Sequence, residues 1–598
     1  MFIVDFETGP ISGPVSHTPP EPVGVAILEE GSRPYYIGWG HPTGNNGTLE
    51  EAMRVLLRIW HSNARVCFHN APFDLAVAEK HLSLPWLQSW RIEDTLLLAY
   101  LYDSQMPSLS LKPLAQTLLG MPPEEQDEVR HWLIEHGIVI ERDKNWGAHI
   151  GKAPGNIVGP YAIGDVVRTR KLHDFLYKKV QAEDMVAAYD RELRLMEVLH
   201  RNTQQGIRVD QAGIAEEISR LSQSLELVDQ SIRCEVSAPG LNLDANRDLA
   251  DALDRAGKVK AWGYTAKGER STAREALLHG LNDPMLAHQL AYRGQVATLL
   301  NTFLGPWLVA SGADGRLHPN WNQVRGESGG TRTGRLSCSE PNLQNVPSIE
   351  KMVQPPAGCP PLPNLRRFFL PEPGCVYVSA DFHSQEIRIL GHYADGAIAE
   401  IYNRDPSADV HGAVIELVKR RTGKVVGRKE VKIVVFSMIY GAGARSIAAR
   451  LGISEAEGYE LVNAILDSIT GVRSFRDEIQ AVAHNNEGIR TWGGRRIYSP
   501  PGRTYALLNY LIQGSAADQT KQALVDYDKI KESGTFLLTV HDEICISAYD
   551  DDSDDWIAVN SEVRLLKHAM EKGKFDVPMR ATVSVGSNWG EMKPWRGQ

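Results

Sequence analysis

What this chain of 598 residues has little of narrows its class first. Its six cysteines (67, 234, 338, 359, 375 and 545) include no C-x-x-C pair, which argues against a zinc knuckle and for free thiols in a reducing compartment. No apolar run approaches the roughly 18 residues that a membrane span needs. The opening residues, MFIVDFETG, carry two acids and no basic stretch, so neither a secretory nor a mitochondrial leader is expected and the location reads as cytoplasmic. Internal repeats are not apparent, which points to a series of unlike domains. A cationic excess is missing too: 64 Lys and Arg against 74 Asp and Glu leave a net charge of -10. That balance lowers the odds of nucleic-acid binding without excluding it, because a basic cleft can sit in an acidic shell. What is present is ordinary for a well-cored protein: 42% apolar and 23% charged residues rule out global disorder. The length suggests about four globular units.

Residues 1 to about 120 alternate β-rich runs (FIVDF, VGVAIL, ARVCFHN) with helical ones (LEEAMRVLLRIW, EDTLLLAYLY), an α/β pattern. A charged stretch rich in Gly and Pro follows from about 121 to 160, then a helix is predicted around 161–180. Residues 181–310 read almost wholly helical, as in RELRLMEVLHRNTQQ. Seven prolines between 355 and 373 mark a rigid irregular connection. VYVSADF has a buried-strand pattern that ends in an acid. The chain is helical again from 409 to about 525 and returns to strands in TFLLTVHDEICISAY and RATVSVG. Residues 411–450 hold nine Lys or Arg against two Glu, a local charge of +7, whereas 550–555 (DDDSDD) is acidic. Charge runs taken alone are usually solvated faces. The order within the basic run says more.

Asp5 and Glu7 lie two apart on a predicted strand, so their carboxylates share one face. Like charges on one face repel, and a divalent cation is the usual remedy. A lone D-x-E is weak, but HNAPFD adds Asp74 at a strand-to-helix junction beside Asn70. Tyr161 and Asp165 then sit four apart on a helix, hence also on one face. Three elements can therefore converge four carboxylates and a phenol, a set suited to two metals about 3.5–4 Å apart.

A second pair of acids stands further on. Asp381 ends VYVSAD, and Asp542 sits in the turn of LLTVHDEICI. Two aspartates on neighbouring strands are the smallest scaffold for two-metal phosphoryl transfer. Between them Arg428, Lys432, Phe436 and Tyr440 recur every four residues and end at Gly441. On a helix they form one slowly drifting face of two cations and two aromatics. Cations suit a triphosphate and aromatics a base or sugar, although a snorkelled basic end beside a core aromatic end explains this helix alone equally well.

The three acidic motifs D-x-E, N-x-x-F-D and Y-x-x-x-D resemble those of DEDD-type 3′–5′ exonucleases in the tyrosine-containing variant. The rest resembles the family A DNA polymerases, the bacterial DNA polymerase I family. Motif A is DFHSQEIR, motif B is R-x3-K-x3-F-x3-Y-G and motif C is VHDE. TGRLSCSEPNLQNVP, LIQGSAAD and the terminal VGSNWGEMK also match, so the resemblance covers essentially the whole chain. It implies a multidomain α/β and α+β protein: a ribonuclease-H-like exonuclease domain (1–180), then a right-hand polymerase. The hand divides into a thumb (181–320), a first part of the palm (321–410), the fingers (411–525) and a C-terminal part of the palm (526–598).

The resemblance also implies roles. Asp5, Glu7, Asp74 and Asp165 would hold two metals and Tyr161 would orient the attacking water. Asp94 matches a recurrent acid of such domains, and serves equally well as a helix N-terminal charge. Asp381 and Asp542 would bind the catalytic metals, with Glu543 in support. Arg428 and Lys432 would grip the triphosphate, and Lys432 would protonate the leaving pyrophosphate. His411 would contact the phosphates, and Tyr440 would fill the templating position while the fingers are open. Arg335 and Gln513 would read minor-groove acceptors common to every correct pair. Asn342, Gln344, Asn509 and His541 would support primer and template. Glu386 is the family's steric gate beneath the sugar and implies deoxynucleotides, while Phe436 implies discrimination against dideoxynucleotides. The cofactor would be Mg²⁺, two per active site, with Mn²⁺ able to substitute. The implied partners are primer–template DNA and dNTPs, with a single-strand-binding protein and a helicase or primase in a replicative setting, and the chain itself a monomer.

Some positions depart from the family pattern. His383 and Ser384 replace the usual Ser and Gln of motif A. Val435 and Ser437 stand where many members have Asn and Gly, and Tyr505 stands where an arginine is expected. These surround the nascent base pair, so base preference is open, including 2-aminoadenine in place of adenine. Because the chain begins at the first exonuclease strand, no 5′-nuclease domain is expected, which suits a phage replicative enzyme. The competing reading is an exonuclease whose polymerase half serves only to bind DNA.

Overall fold

The computed structural model describes residues 1–11, 17–122, 124–326, 329–551 and 556–597. Of the acidic run 550–555, residues 552–555 lie outside the described residues. No helix among the described residues is long and apolar enough to cross a membrane.

Strands β1 (Phe2–Thr8), β2 (Pro22–Glu29), β3 (Tyr35–Gly38), β4 (Val66–Phe68) and β5 (Ile92–Asp94) form one sheet in the order β3-β2-β1-β4-β5. Alternation along β1 divides its side chains between two cores. Val4 and Phe6 join the core on one face, and Ile3 packs with Val158, Tyr161 and Ala162 on the other. Each such buried side chain contributes about 1.5–3 kcal/mol. Asp5 and Glu7, in phase with Ile3, are thereby committed to the second face.

Helices α1 (Ala71–Leu82), α2 (Thr95–Tyr102), α3 (Leu111–Leu119) and α4 (Gly155–Ala182) cover this sheet. The helix expected from 161 starts at Gly155, with Pro160 inside its second turn. The turn-rich stretch before it also contains a helix at Glu124–Glu135 and a 3₁₀ segment at Trp146–Lys152. A single Pro and clustered Gly thus failed to break what tertiary packing supports.

Helix α5 (Val186–Gln205) leads into the mainly helical stretch expected from the sequence. A second, antiparallel sheet follows from β6 (Cys375–Phe382), β7 (Thr535–Val540), β8 (Glu543–Tyr549), β9 (Ala581–Gly586) and β10 (Met592–Pro594). Its order is β7-β8-β6-β9-β10. Helices α6 (Gln385–Ala394), α7 (Val410–Thr422) and α8 (Arg428–Ile439) share one core with the start of α9 (Leu507–Ile530). Packing runs across two of the expected boundaries, 410/411 and 525/526. Ile387, Ile389 and Leu390 already belong to the core assigned from 411 onward. The division at 525/526 falls inside α9, whose later residues Ala523, Leu524 and Tyr527 pack on the second sheet.

Where the units meet, charge is buried. Asp518 on α9 is 0% exposed. Its Oδ1 accepts from Arg191 Nη2 at 2.9 Å and from Arg495 Nε at 2.6 Å, and its Oδ2 from Thr491 Oγ1 at 2.6 Å. Arg495 reaches on to Tyr100 Oη at 2.8 Å, Thr333 O at 2.8 Å and Gly514 O at 3.0 Å. Burial alone would raise the Asp518 carboxyl, yet the two guanidiniums hold it below the usual carboxylate range. One turn along α9, Lys521 donates to both oxygens of Glu192 on α5 and to Gln323 O. Removing one member of such a network strands its partners as buried charges, at a cost of about 3–5 kcal/mol. Asp518→Ala is expected to lower stability by about that amount in denaturant titrations monitored by tryptophan fluorescence. An unchanged midpoint would show that this network holds nothing together.

Candidate functional site

On the central strand of the first sheet and the helix packed on it, ligating oxygens of Asp5, Glu7 and Asp165 lie within 4.8 Å of one another. Among the described residues this is the only such group of three or more. Glu7 and Asp165 are buried, and Asp5 is half-buried. Asp74 stands in the first turn of α1, whose start is set by Asn70 at φ 74. Its Oδ1 accepts from Phe6 N at 2.9 Å, which ties it to β1, although Asp74 is not among the three acids of the 4.8 Å group. Asp94 serves both α1 and α2: it accepts from Ala71 N at 2.8 Å and from Leu96 N at 2.8 Å. Tyr161 lies one turn before Asp165 on α4, as the spacing requires.

Burial, followed by the charge of Asp165, pushes the Asp5 carboxyl up to about 7. Burial and then Asp5 raise both Glu7 and Asp74 well above the carboxylate range. Several hard oxygen donors that cannot comfortably ionise together fit a divalent cation such as Mg²⁺.

The second group forms where β6 and β8 are neighbours. Asp381 is paired in register with Glu543, and Phe382 N donates to Asp542 O at 3.1 Å. His541, at φ 57, opens the two-residue turn that presents Asp542. Asp381 is reached by solvent, yet desolvation, then Asp542 and Glu543, push its carboxyl up to about 8. Burial also raises Asp542. Glu543 is differently employed. Its Oε1 accepts from Ser379 Oγ and from Trp589 Nε1 at 2.9 Å, and Arg366 stands 3.6 Å from its Oε2. The same guanidinium lies 4.1 Å over the Trp589 ring.

Arg335, Glu386, Tyr440 and Gln513 meet beside this group. Arg335 Nη2 donates to Glu386 Oε1 at 2.6 Å, and Tyr440 Oη donates to Glu386 Oε2 at 3.2 Å. Gln513 also hydrogen-bonds the Tyr440 hydroxyl. The face predicted on α8 exists: Arg428 and Lys432 are exposed, Phe436 is half-buried, and Tyr440 caps the helix. Arg428 is ion-paired with Asp409. His411 on α7 is buried with its ring 6.2 Å from Phe436, and burial followed by Arg428 lowers its pKa. Arg335, Gln344 and His541 line one small cavity, while exposed Asn342 caps Gln344 N at 3.1 Å. Asn509 Oδ1 is buried with no hydrogen-bond partner among the described residues. Of the departing positions, His383 Nδ1 sits 3.0 Å from Arg388, and Ser437 accepts from Arg450 Nη1 at 3.2 Å.

A family model described as DNA polymerase family A matches residues 212–591, well over half of the chain. The chain belongs to DNA polymerase family A. A second model, for 3′-5′ exonuclease, matches residues 41–181. That range holds Asp74, Tyr161 and Asp165 but not β1, whose Asp5 and Glu7 lie beside Asp165.

Family members with clear similarity include the DNA polymerase I of Chloroflexus aurantiacus, 29% identical over 96% of this chain and 60% of that one. The chain thus spans about three fifths of that relative's length. The DNA polymerase DpoZ of Vibrio phage phiVC8 is 28% identical over 74% of this chain and 72% of its own. The DpoZ of Salmonella phage PMBT28 is 26% identical over 89% of both. A solved POL domain of Pol1 from M. smegmatis, in complex with DNA primer-template and dNTP, superposes with a TM-score of 0.76 at 22% identity. It covers 98% of this chain and 96% of that one, and carries the likeness of fold.

Sequence reasoning missed Lys112, Arg366, Ser379, Trp589 and the Arg495–Asp518 pair. Asp518 and Trp589 carried a signal as members of LIQGSAAD and VGSNWGEMK, and Ser379 lies in VYVSADF, but no spacing pointed to their partners. The others meet their partners through tertiary contacts without periodic spacing.

The raised carboxyls predict a pH dependence. Asp5 and Asp381 protonate at about 7 and about 8 when folded, against 3.8 for an ordinary Asp. Between those values the folded chain binds more protons than the unfolded one, so cation-free stability falls as pH rises through this window. Cation binding must expel those protons. Magnesium titration calorimetry near neutral pH, in buffers of different ionisation enthalpy, is expected to report proton release and an affinity that climbs to about pH 8. A pH-independent affinity without proton release would contradict these shifts.

Proposed function

We propose that the chain is a template-directed DNA polymerase that extends a primer 3′ end with deoxynucleotides and removes mispaired ends in the 3′–5′ direction. The observation that carries this reading is the pair of separate carboxylate groups, Asp5–Glu7–Asp165 with Asp74 and Asp381–Asp542. One lies in the exonuclease-like part and the other in the polymerase-matched segment. The donor sets at both fit magnesium or manganese, held by Asp5, Glu7, Asp74 and Asp165 in one and by Asp381 and Asp542 in the other. Bound there, such ions acidify an attacking water or 3′-hydroxyl and offset phosphate charge.

The chain's own side chains do the rest. Arg428 and Lys432, exposed on α8, take the triphosphate, and Arg428 exchanges Asp409 for phosphate as it does so. Lys432 is placed to return a proton to pyrophosphate, and His411 to contact the phosphates. Tyr440 must release Glu386 before a templating base can enter, which makes that hydrogen bond part of the closing step. Arg335 holds Glu386 beneath the sugar and, with Gln513, faces the primer–template minor groove. Asn342, Gln344, Asn509 and His541 line the primer and template path, and the Asn509 oxygen, unpartnered among the described residues, suits a ligand donor. Glu543, tied to Ser379, Trp589 and Arg366, fixes the strand pairing that presents Asp381. Tyr161 stands over the exonuclease carboxylates to orient water. Two DpoZ relatives support a phage setting.

On a labelled primer–template with magnesium, Asp381→Ala is expected to lose extension by at least about a thousandfold while still shortening primers without dNTPs. Asp5→Ala is expected to do the reverse. A wild-type chain that shortens primers and never extends them would make the polymerase half a DNA-binding module instead. Glu386→Ala is expected to raise ribonucleotide incorporation relative to deoxynucleotide by at least about tenfold in single-nucleotide kinetics. An unchanged ratio would remove Glu386 from sugar selection.

A further inference from the structure

The carboxylate group on the first sheet contains a cation of its own. Lys112, in the first turn of α3, projects its Nζ to 2.5 Å from Asp165 Oδ2 and 3.9 Å from the centroid of the Tyr161 ring. The pair is secluded, with side-chain exposures of 12% for Lys112 and 7% for Asp165. On the other edge of the same carboxylate, Arg168 Nη1 lies 3.5 Å from Asp165 Oδ1. Asp165, one oxygen of which lies within 4.8 Å of an oxygen from Asp5 and from Glu7, therefore faces an ammonium on one side and a guanidinium on the other.

Two consequences follow from charge and geometry. Holding Asp165 and stacking on Tyr161, the ammonium fixes two side chains one helical turn apart in their relative orientation. It also takes up lone pairs on the carboxylate that a divalent ion would share, and it repels that ion at short range through poorly screened surroundings. An arginine would spread its charge over a planar fork, but a lysine concentrates it at one point that can swing aside on a flexible stem.

We infer that Lys112 is a built-in counter-ion of the Asp5–Glu7–Asp165 group, a positioning residue that holds Asp165 and Tyr161 in the metal-free state and that metal loading has to displace. Lys112 thereby sets the cation concentration at which primer shortening begins. This rests on the reading of that group as the exonuclease metal site.

The test is manganese titration calorimetry on the full chain without DNA, in an Asp381→Ala background so that the first-sheet site dominates the heat. Lys112→Met is expected to bind manganese at least about tenfold tighter, since it removes a competing charge. Lys112→Gln keeps a hydrogen-bond donor for Asp165 without the charge, is expected to show the same tightening, and serves if the Met variant does not fold. Lys112→Arg is expected to retain the weaker binding. Unchanged or weaker affinity in both neutral variants would overturn the inference and leave Lys112 a structural prop. If Asp5→Ala in the same background fails to abolish the heat, the site itself has been misread, and the inference falls with it.

Discussion

Carboxylates that repel one another are held together in this protein by backbone that has no freedom to part them. In β1 the two-residue period that buries Ile3 on one face and Val4 and Phe6 on the other sends Asp5 and Glu7 to the same side. The backbone amide of Phe6 pins Asp74, and the helix that carries Asp165 also supplies Tyr161 and Val158 to the core beneath it. None of these acids can retreat to solvent without unpacking an element that other residues need. The second sheet repeats the arrangement with different parts, since Asp381 and the Asp542 turn belong to neighbouring strands and the pairing of Asp381 with Glu543 fixes their approach. The crowding of acids at each place is therefore a property of the fold.

Between the two places runs a brace of buried charge. Asp94 ties the start of α1 to α2, and Tyr100 on α2 accepts from Arg495, which grips Asp518 and the carbonyl of Thr333. Two residues further on, Arg335 holds Glu386. Each link is a hydrogen bond between secluded groups, where a missing partner costs far more than a matched pair returns. The two sheets are thus braced through Tyr100, Arg495 and Asp518, which lie outside both carboxylate groups, and the brace ends at residues that adjoin each of them.

Much of this was legible because it follows local periods. Asp5 and Glu7 share a strand face at spacing two, Tyr161 and Asp165 a helix face at spacing four, and the Arg428–Tyr440 face emerged as a stripe exposed at all but the half-buried Phe436. The adjacency of Asp381 and Asp542 followed from both standing at strand ends. Illegible parts depend on tertiary contact. Lys112 meets Asp165 across 53 positions, and Trp589 meets Glu543 across 46. Helix limits erred where packing overrode a local breaker, as at Pro160, and the boundary expected at 525/526 falls within α9, which serves two cores at once.

The most direct test of two independent cation sites in one chain is anomalous diffraction from crystals of the full chain soaked in manganese. Strong peaks are expected at both places, one against Asp5, Glu7 and Asp165 and one against Asp381 and Asp542, with the first lost in Asp5→Ala and the second lost in Asp381→Ala. Manganese at only one of the two groups, or at neither, would contradict the division of labour between the sheets.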